Sequence, residues 1–527
     1  MPSAFEGGVE PQLDDFIGEA RRHDPAAHRQ DVRIVVFPRE ARRIEVITQG
    51  CADAAHFVRG DLLSLPAAAE DDAPIGTTGY DLASNHRADL GIVHRRLAVR
   101  AAIVHLVTAR LQYSDKVLFQ REARMVRTDR DPHVWNYSCR TMPTVIVNKR
   151  GEDRIESGHP WVYRSDIAEV RAAAGDIVRV SGPRNRVLGE ALFSDRSQIV
   201  IRMLTRGDAR ADDALLRRRV EQAIQFRETL KIEGTAYRVL HGEADLLPSL
   251  VVDRYGDYLV LQALSQGMDA LTPRIVSLLA ELMEPKGILA RNDPKVRQLE
   301  GLDQTVEVLY GEVPNTIEVT EGRVRYEVDP FHGQKTGLFL DQRENRIAAA
   351  SYASGRLLDT FSYNGGFALA LAPQCDEVHA IDISEDAVAR IRTNADRNGL
   401  RNVKARAMNV FDELRELERR GEQFDTIVLD PPAFAKNKAS VPKALSGYKE
   451  INLRGLKLLK PGGYLVTCSC SYNIGESAFA DVIASAAADA RVDVTVVEKR
   501  MQARDHPVLM TVPETYYLKC FILRKLA

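Results

Sequence analysis

From residue 143 the apolar positions fall into short alternating runs, TVIVN, GDIVRV (175–180), VLGEALF (187–193) and QIVIRML (198–204), broken by Gly, Pro and Asn turns. Strands this short and this closely spaced predict a small β-barrel over 143–210. The period then lengthens over DDALLRRRVEQAIQFRETLKI (212–232), a predicted helix whose arginine triplet Arg217–Arg219 reads as a solvated face. Strands follow in SLVVDRYGDYLVLQAL (249–264), GILARND (287–293), QTVEVLYG (304–311) and GRVRYEVDPF (322–331), with a helix near 271–284. Residues 211–345 therefore read as an α+β domain. From about 346 strands alternate with helices: RLLDTFS (356–362), EVHAIDI (377–383), VKARAM (403–408), FDTIVLDPP (424–432) and GGYLVTCSC (462–470). Between the second and third, Ser384 is placed to cap a helix over 384–399 and Gly399 to end it. This rhythm predicts, over 346–527, an α/β domain with a parallel, doubly wound, Rossmann-like sheet and ligands at the strand C-termini.

Residues 1–141 break the pattern. They carry 18 Arg against a single Lys, Lys116, and seven of the 12 His. The stretch 65–90 has no periodicity and reads as loop, and a helical spacing appears only over 95–111. The expectation is a poorly ordered extension of unknown role, with Met142 a candidate start of the compact part.

Composition narrows the classes. Among 527 residues, 45% are hydrophobic and 28% charged, which excludes collagen-like and wholly disordered chains. No run of about 18 apolar residues exists and the acidic N-terminus lacks an apolar core segment, so neither a spanning helix nor a secretory signal is expected. The six cysteines (Cys51, Cys139, Cys375, Cys468, Cys470, Cys520) form no framework of disulfides or zinc ligands, which points to a reducing cytoplasm and no metal. A net charge of −2 leaves nucleic-acid binding to a local patch, for which Lys149, Arg150, Arg154, Arg164, Arg184 and Arg186 are candidates.

Acidic residues recur at the predicted strand tips. The first strand carries Asp359 into a turn, Thr360 to Phe367, whose Gly365-Gly366 pair lets backbone approach a ligand closely. The pattern is not G-x-G-x-x-G, so the dinucleotide fingerprint is absent. Asp382 ends the second strand, where an acid can accept both hydroxyls of a ribose. Asn409 and Asp412 follow the third, and Asp430-Pro431-Pro432 the fourth. Any one of these acids could be a helix cap. Four in register fit a ligand with ribose, adenine and a cationic or amino-acid part, without phosphates.

These residues resemble class I S-adenosylmethionine-dependent methyltransferases. More closely, residues 143–527 resemble bacterial PUA-domain-containing 23S rRNA (cytosine-C5)-methyltransferases, through GHPWVY (158–163), HGQKTGLFLDQREN (332–345), DTFSYNGGF (359–367), AIDIS (380–384), LDPPAFAKNK (429–438), TCSCS (467–471), DHPVL (505–509) and PETYYLK (513–519). The resemblance implies a PUA-like RNA-binding barrel, a middle domain and a methyltransferase domain acting on large-subunit rRNA, with an uncertain oligomeric state that includes a homodimer. Its implied cofactor contacts are Lys335, Thr336 and Gln342 from the segment before the sheet, and Asp359, Phe361, Asn364, Gly365, Asp382, Asp412 and Pro431 from the strand tips. Pro432, Phe434 and Lys436 are the candidate substrate contacts, with Phe434 open between stacking on the base and filling the core, and Lys436, like Lys438, between touching phosphate and being solvated. Arg343 is open between the cofactor and an interdomain salt bridge, and His506 between a general base and a structural histidine.

Cys470 and Asp430 are the expected catalytic residues. Carbon-5 of cytosine is a poor nucleophile, and a thiolate adding to carbon-6 makes it an enamine. Nitrogen methylation needs no such step, so Cys470 discriminates between the two reactions. Cys468, two residues earlier in the same chain segment, is expected to be a buried, inert cysteine. Asp430 could hold the base through its amino group or N3. Two other readings remain: a methyltransferase acting on a guanine or adenine nitrogen, and a non-catalytic RNA-binding protein.

Overall fold

The computed structural model describes residues 142–526; the extension 1–141, with its helical spacing over 95–111, lies outside the described residues. The first part is a six-stranded sheet of order β2-β6-β5-β4-β1-β3. Its strands are β1 (Thr144–Val147), β2 (Trp161–Tyr163), β3 (Ile167–Arg171), β4 (Ile177–Ser181), β5 (Val187–Phe193) and β6 (Ile199–Met203), with helix α1 (Lys149–Glu156) after β1. Val145, Val147, Val178, Val180 and Ile201 point inward and are fully buried, as the alternation predicts.

Most of the basic patch expected here is tied to internal partners. Arg150 and Arg154 both pair with the buried Asp166, Lys149 pairs with Glu152 and Asp153, and Arg186 with Glu156. Arg164 spends its guanidinium on the carbonyls of Asp195 and Ser197. Of the six, Arg184 alone has no partner among the described residues.

The middle region is a five-stranded sheet of order β11-β10-β9-β8-β7, built from β7 (Ala236–His241), β8 (Leu250–Tyr255), β9 (Tyr258–Ala263), β10 (Gly287–Asn292) and β11 (Thr305–Gly311). Helices α2 (Asp213–Thr229), α3 (Gln266–Met283) and the single turn α4 (Val296–Leu299) accompany it, and the hairpin β12 (Ile317–Glu321)–β13 (Val324–Val328) leads onward. Helix α3 begins at Gln266, earlier than the predicted 271, because Ser265 caps it by accepting from the Met268 amide. The arginine triplet is a solvated face only in part: Arg218 is exposed and Arg217 pairs with Glu281 across to α3, but Arg219 is buried and donates to the carbonyls of Leu204 and Leu246.

The last part is a seven-stranded sheet of order β16-β15-β14-β17-β18-β20-β19. It contains β14 (Arg356–Thr360), β15 (Glu377–Asp382), β16 (Val403–Ala407), β17 (Phe424–Leu429), β18 (Leu459–Ser469), β19 (Val494–Met501) and β20 (Lys519–Lys525). Helices α5 (Arg343–Ala350), α6 (Gly366–Leu371), α7 (Glu385–Arg397), α8 (Val410–Arg419), α9 (Val441–Leu458) and α10 (Glu476–Ala490) cover it. Ser384 caps α7 and Gly399 lies just past its end with φ +66°, as expected. The five predicted strands are parallel, but the sheet as a whole is mixed. The chain runs β20 antiparallel between β18 and β19, and the alternation of strands and helices revealed neither β19 nor β20. Sequence order reverses between β14 and β17, and at such a switch the loops diverge and leave a crevice.

Candidate active site

The crevice is lined from strand tips outward. Asp359, at the end of β14, is buried and accepts from the Ser362 hydroxyl at 2.5 Å and the Ala368 amide at 2.9 Å, so it caps α6. Burial pushes its carboxyl up to about 7 against those two hydrogen bonds. Asp382, at the tip of β15, accepts from the Tyr363 amide at 2.8 Å and the Ser384 amide at 3.0 Å. Between these two acids the loop turns through three left-handed residues, Phe361 (φ +59°), Tyr363 (φ +51°) and Gly365 (φ +86°). Non-glycine residues of that kind are held by their surroundings and cluster at ligand sites.

That arrangement suits the expected ligand. The Asp382 carboxylate gives each oxygen one backbone donor and keeps lone pairs for ribose hydroxyls. Asn364 is buried beside it, its carbonyl accepting from Asn394. Asp412 stands further out, 74% exposed in the first turn of α8, where it belongs to the rim. Arg390 stands beside the loop, its guanidinium 5.5 Å from the centre of the Tyr363 ring. These residues fit S-adenosylmethionine.

A segment from His332 to Gln342 straps the crevice. The Gln334 amide donates to the Tyr363 hydroxyl at 2.8 Å, which ties the strap to the loop after β14. Gln342 is buried and donates through Nε2 to Asp430 at 2.8 Å. Lys335 donates to Asp341 at 2.7 Å, and Tyr517 donates to the same carboxylate oxygen at 2.8 Å. Burial opposes the Asp341 charge, yet Lys335 and its hydrogen bonds hold the carboxyl well below the usual range. Thr336 corrects an expectation. Its hydroxyl is buried against Asp253 (2.6 Å) and Tyr255 (2.9 Å) of the middle sheet, so it anchors the strap to β8 and does not turn to the crevice.

On the far side of the switch, Asp430 follows β17 and Cys470 follows β18. The Cys470 thiol reaches the Pro431 carbonyl at 3.8 Å, which brings the nucleophile candidate onto the Asp430-Pro431-Pro432 turn. Burial, and then the Asp341 charge, raise Asp430 to about 6. Burial and the Asp430 carboxylate push the Cys470 thiol up to about 11. Cys468 is fully buried opposite Cys520, as expected of an inert residue. Phe434 is half-buried, its ring 4.7 Å from Tyr448, 6.0 Å from Phe411 and 6.4 Å from Phe361, so one face of it belongs to the core. Pro432 and Lys436 are exposed at the mouth.

Several site residues escaped the sequence reading. Lys519, 1% exposed in β20, donates to the carbonyls of Ser471 (2.8 Å) and Tyr517 (2.9 Å) and so fixes the backbone next to Cys470. Burial lowers its ammonium to about 8. Asp341 and Tyr517 form the mount beneath Lys335. Each stands inside a quoted motif, but only the packing shows that they meet. Arg343 makes the salt bridge that was one of its two readings: both terminal nitrogens donate to Asp505 at 2.9 Å. His506 donates to or accepts from the same carboxylate at 3.0 Å and is buried away from the crevice mouth, in keeping with a structural role.

Comparison with known proteins agrees with this geometry. Residues 145–206 match the family model of the PUA-like domain, and residues 278–520 that of S-adenosylmethionine-dependent methyltransferases. Ribosomal RNA large subunit methyltransferase I of Tolumonas auensis is 40% identical over 393 residues, 72% of this chain and 99% of that protein. The protein of the same name from Klebsiella pneumoniae strain 342 is 39% identical, over 72% of this chain and 98% of that one. Among solved structures, SMU.776 complexed with SAH aligns with a TM-score of 0.64 at 22% identity, over 73% of this chain and 100% of that one, a likeness of fold.

Proposed function

Because this chain belongs to the ribosomal RNA large subunit methyltransferase I family, we propose that it methylates carbon-5 of a cytosine in large-subunit rRNA, with Cys470 as nucleophile and Asp430 holding the base. The observation that carries the reading is the approach of Cys470 to Pro431, which sets a thiol beside the carboxylate best able to grip a pyrimidine edge. A methyltransferase acting on a ring nitrogen has no use for a thiol at that point.

The cofactor is S-adenosylmethionine, and Asp382, Asn364 and the Phe361–Gly365 loop would hold it, with its sulfonium supplying an electrophilic methyl to the activated carbon-5. The protein does the rest. A base buried in duplex RNA is out of reach, so the target leaves its stack and enters the mouth at Pro432 and Phe434. Asp430 bonds to the amino group or, in its protonated form, to N3; a proton shared there draws electrons from carbon-6. The Cys470 thiolate adds to carbon-6 and the electron pair moves to carbon-5. After methylation the carbon-5 proton is removed, its bonding pair restores the ring double bond, and the carbon–sulfur bond breaks to return the thiolate.

RNA is gripped near the site by Lys436, Lys438 and Lys443. These exposed lysines have no acidic partner among the described residues, and residues 431–449 contain no Asp or Glu. The PUA-like domain supplies the more distant contact. The test is nucleoside mass spectrometry of rRNA incubated with methyl-labelled S-adenosylmethionine and either the wild-type protein or Cys470→Ala. Labelled 5-methylcytidine that vanishes in the variant is expected. A methylated purine made equally by both would refute the reading.

A further inference from the structure

The ladder between β17 and β18 ends at Leu429 and Thr467. Asp430 and Cys470 lie beyond it, on two chain segments that the sheet no longer holds together. Their spacing is therefore set by contacts between the segments, and among the described residues three hydrogen bonds make that link. The Cys470 thiol meets the Pro431 carbonyl at 3.8 Å, the Ala435 amide donates to the Ser471 hydroxyl at 3.1 Å, and Asn473 Nδ2 donates to the Ala435 carbonyl at 3.3 Å. Both backbone groups of Ala435, which closes the run from Asp430 to Phe434, are thus taken up from the Cys470 side.

Ser471 is the centre of this brace. It is fully buried and follows Cys470 directly. Its carbonyl accepts from the Lys519 ammonium at 2.8 Å and the Ile474 amide at 3.1 Å, which fixes its backbone. Its hydroxyl, besides accepting from Ala435, lies 3.0 Å from the hydroxyl of Tyr448 in α9. Tyr448 is fully buried too, and its ring backs that of Phe434 with centres 4.7 Å apart. One hydroxyl therefore reaches the run that carries Asp430 and, through Tyr448, the aromatic ring at the mouth. Buried polar groups bonded in this way resist movement, because breaking either bond strands a donor or acceptor away from water.

We propose that Ser471, together with Tyr448, is a positioning residue of the reaction: it fixes the Asp430–Phe434 run against Cys470 so that one base meets carboxylate, ring and sulfur at once. This rests on the reading of Cys470 as nucleophile. Ser471 exchanges no proton with the base and acts only on the approach of the sulfur to carbon-6. A misplacement of about 1 Å in such a geometry costs on the order of 100-fold in rate.

The test uses full-length protein, S-adenosylmethionine and large-subunit rRNA transcribed with 5-fluorocytidine in place of cytidine. After methyl transfer, carbon-5 of the adduct carries fluorine where the departing proton should be, so the carbon–sulfur bond persists and the complex survives a denaturing gel. The rate of adduct formation at saturating RNA and cofactor is compared for wild type, Ser471→Ala and Tyr448→Phe. Filter binding of RNA, calorimetry with S-adenosylmethionine and Tm run alongside. S471A should form the adduct about tenfold more slowly or worse, with both affinities within twofold of wild type. A lowered Tm with an adduct rate within twofold of wild type would make Ser471 a structural residue and overturn the proposal. Should S471A not fold, Y448F keeps the ring and removes one hydroxyl, and the same rate decides: lowered at least threefold supports, unmoved overturns. If wild type forms no adduct and methylates a purine, the reading of Cys470 falls and this proposal with it; an adduct formed equally fast by wild type and S471A overturns the positioning alone.

Discussion

Asp505→Asn isolates the interaction that ties the methyltransferase sheet to the middle region. The Asp505 side chain is fully buried and accepts from both terminal nitrogens of Arg343 at 2.9 Å, from the Arg238 amide of β7 at 2.9 Å, and it meets the His506 ring at 3.0 Å. Asparagine keeps the shape but removes the charge, and its amide nitrogen must face a donor whichever way it turns. Arg343, 2% exposed, loses both short contacts to a carboxylate and keeps only the longer one to Glu344 at 3.8 Å. Breaking one partner of a buried pair costs about 3–5 kcal/mol. For a unit of 150–250 residues that lowers Tm by roughly 6–20 °C. Urea unfolding followed by circular dichroism and by tryptophan fluorescence measures it, with coincidence of the two probes checked first. The sign of the pH dependence is a second check. Burial opposes ionisation of Asp505, but His506 and Arg343 hold its carboxyl far below the usual range. A depressed acid stabilises fully above its unfolded value of about 3.9 and loses that contribution as pH falls toward the folded value. The wild-type advantage over D505N should therefore shrink below about pH 4. A difference under about 1 kcal/mol at pH 7, or one that stays constant down to pH 3, would refute the reasoning. Replacing Arg343 and Asp505 together by apolar residues should recover much of the loss, since no charge is then stranded.

Asp359 offers the opposite slope. Burial raises it to about 7, so the folded state binds its proton more tightly than the unfolded chain, and stability should fall as pH rises from about 4 to 7. Asp359→Asn should flatten that fall, whose upper bound is about 4 kcal/mol, in chemical denaturation at several pH values; an unchanged slope would place the titration elsewhere. Gly365→Val puts a branched residue at φ +86° with its Cβ 3.0 Å from Leu369, so S-adenosylmethionine binding by calorimetry should weaken tenfold or more. Binding within twofold of wild type would show that the loop does not cradle the cofactor. The triple variant K436A/K438A/K443A should lower the slope of log affinity for rRNA against log salt by about 2, and equal slopes would remove these lysines from the RNA interface.

The parallel half of the methyltransferase sheet was legible because strands buried on both faces read as apolar runs, as in FDTIVL of β17. Strand β20 was not. Its sequence KCFILRK is bounded by lysines that look solvated, yet Lys519 and Lys525 are buried and bonded to backbone carbonyls. The site divides in the same way. Acids at strand tips follow from chain order, so Asp359, Asp382 and Asp430 could be placed from spacing alone. The strap could not, because the side chains at 335, 336, 341 and 342 turn to four different neighbours. Thr336 meets β8, Lys335 meets Asp341, Asp341 also meets Tyr517, and Gln342 meets Asp430. The internal pairing within the basic patch was hidden for a related reason: Asp166 lies 16 and 12 residues beyond the two arginines it holds, too far for any local pattern to report.

The insertion of β20 between β18 and β19 has a consequence for how the protein comes into being. During synthesis β18 and the thiol at its tip emerge about fifty residues before the strand that pairs with them, and β19 emerges with no neighbour at all. Until β20 arrives, β18 is an open edge and the Ser471 carbonyl lacks the ammonium that steadies it. The setting of Cys470 is therefore among the last features to be assembled. In the finished protein the same logic runs backwards: a fluctuation that frees β20 dissolves two strand pairings at once, so Cys470 and the outer sheet should open together as one cooperative unit.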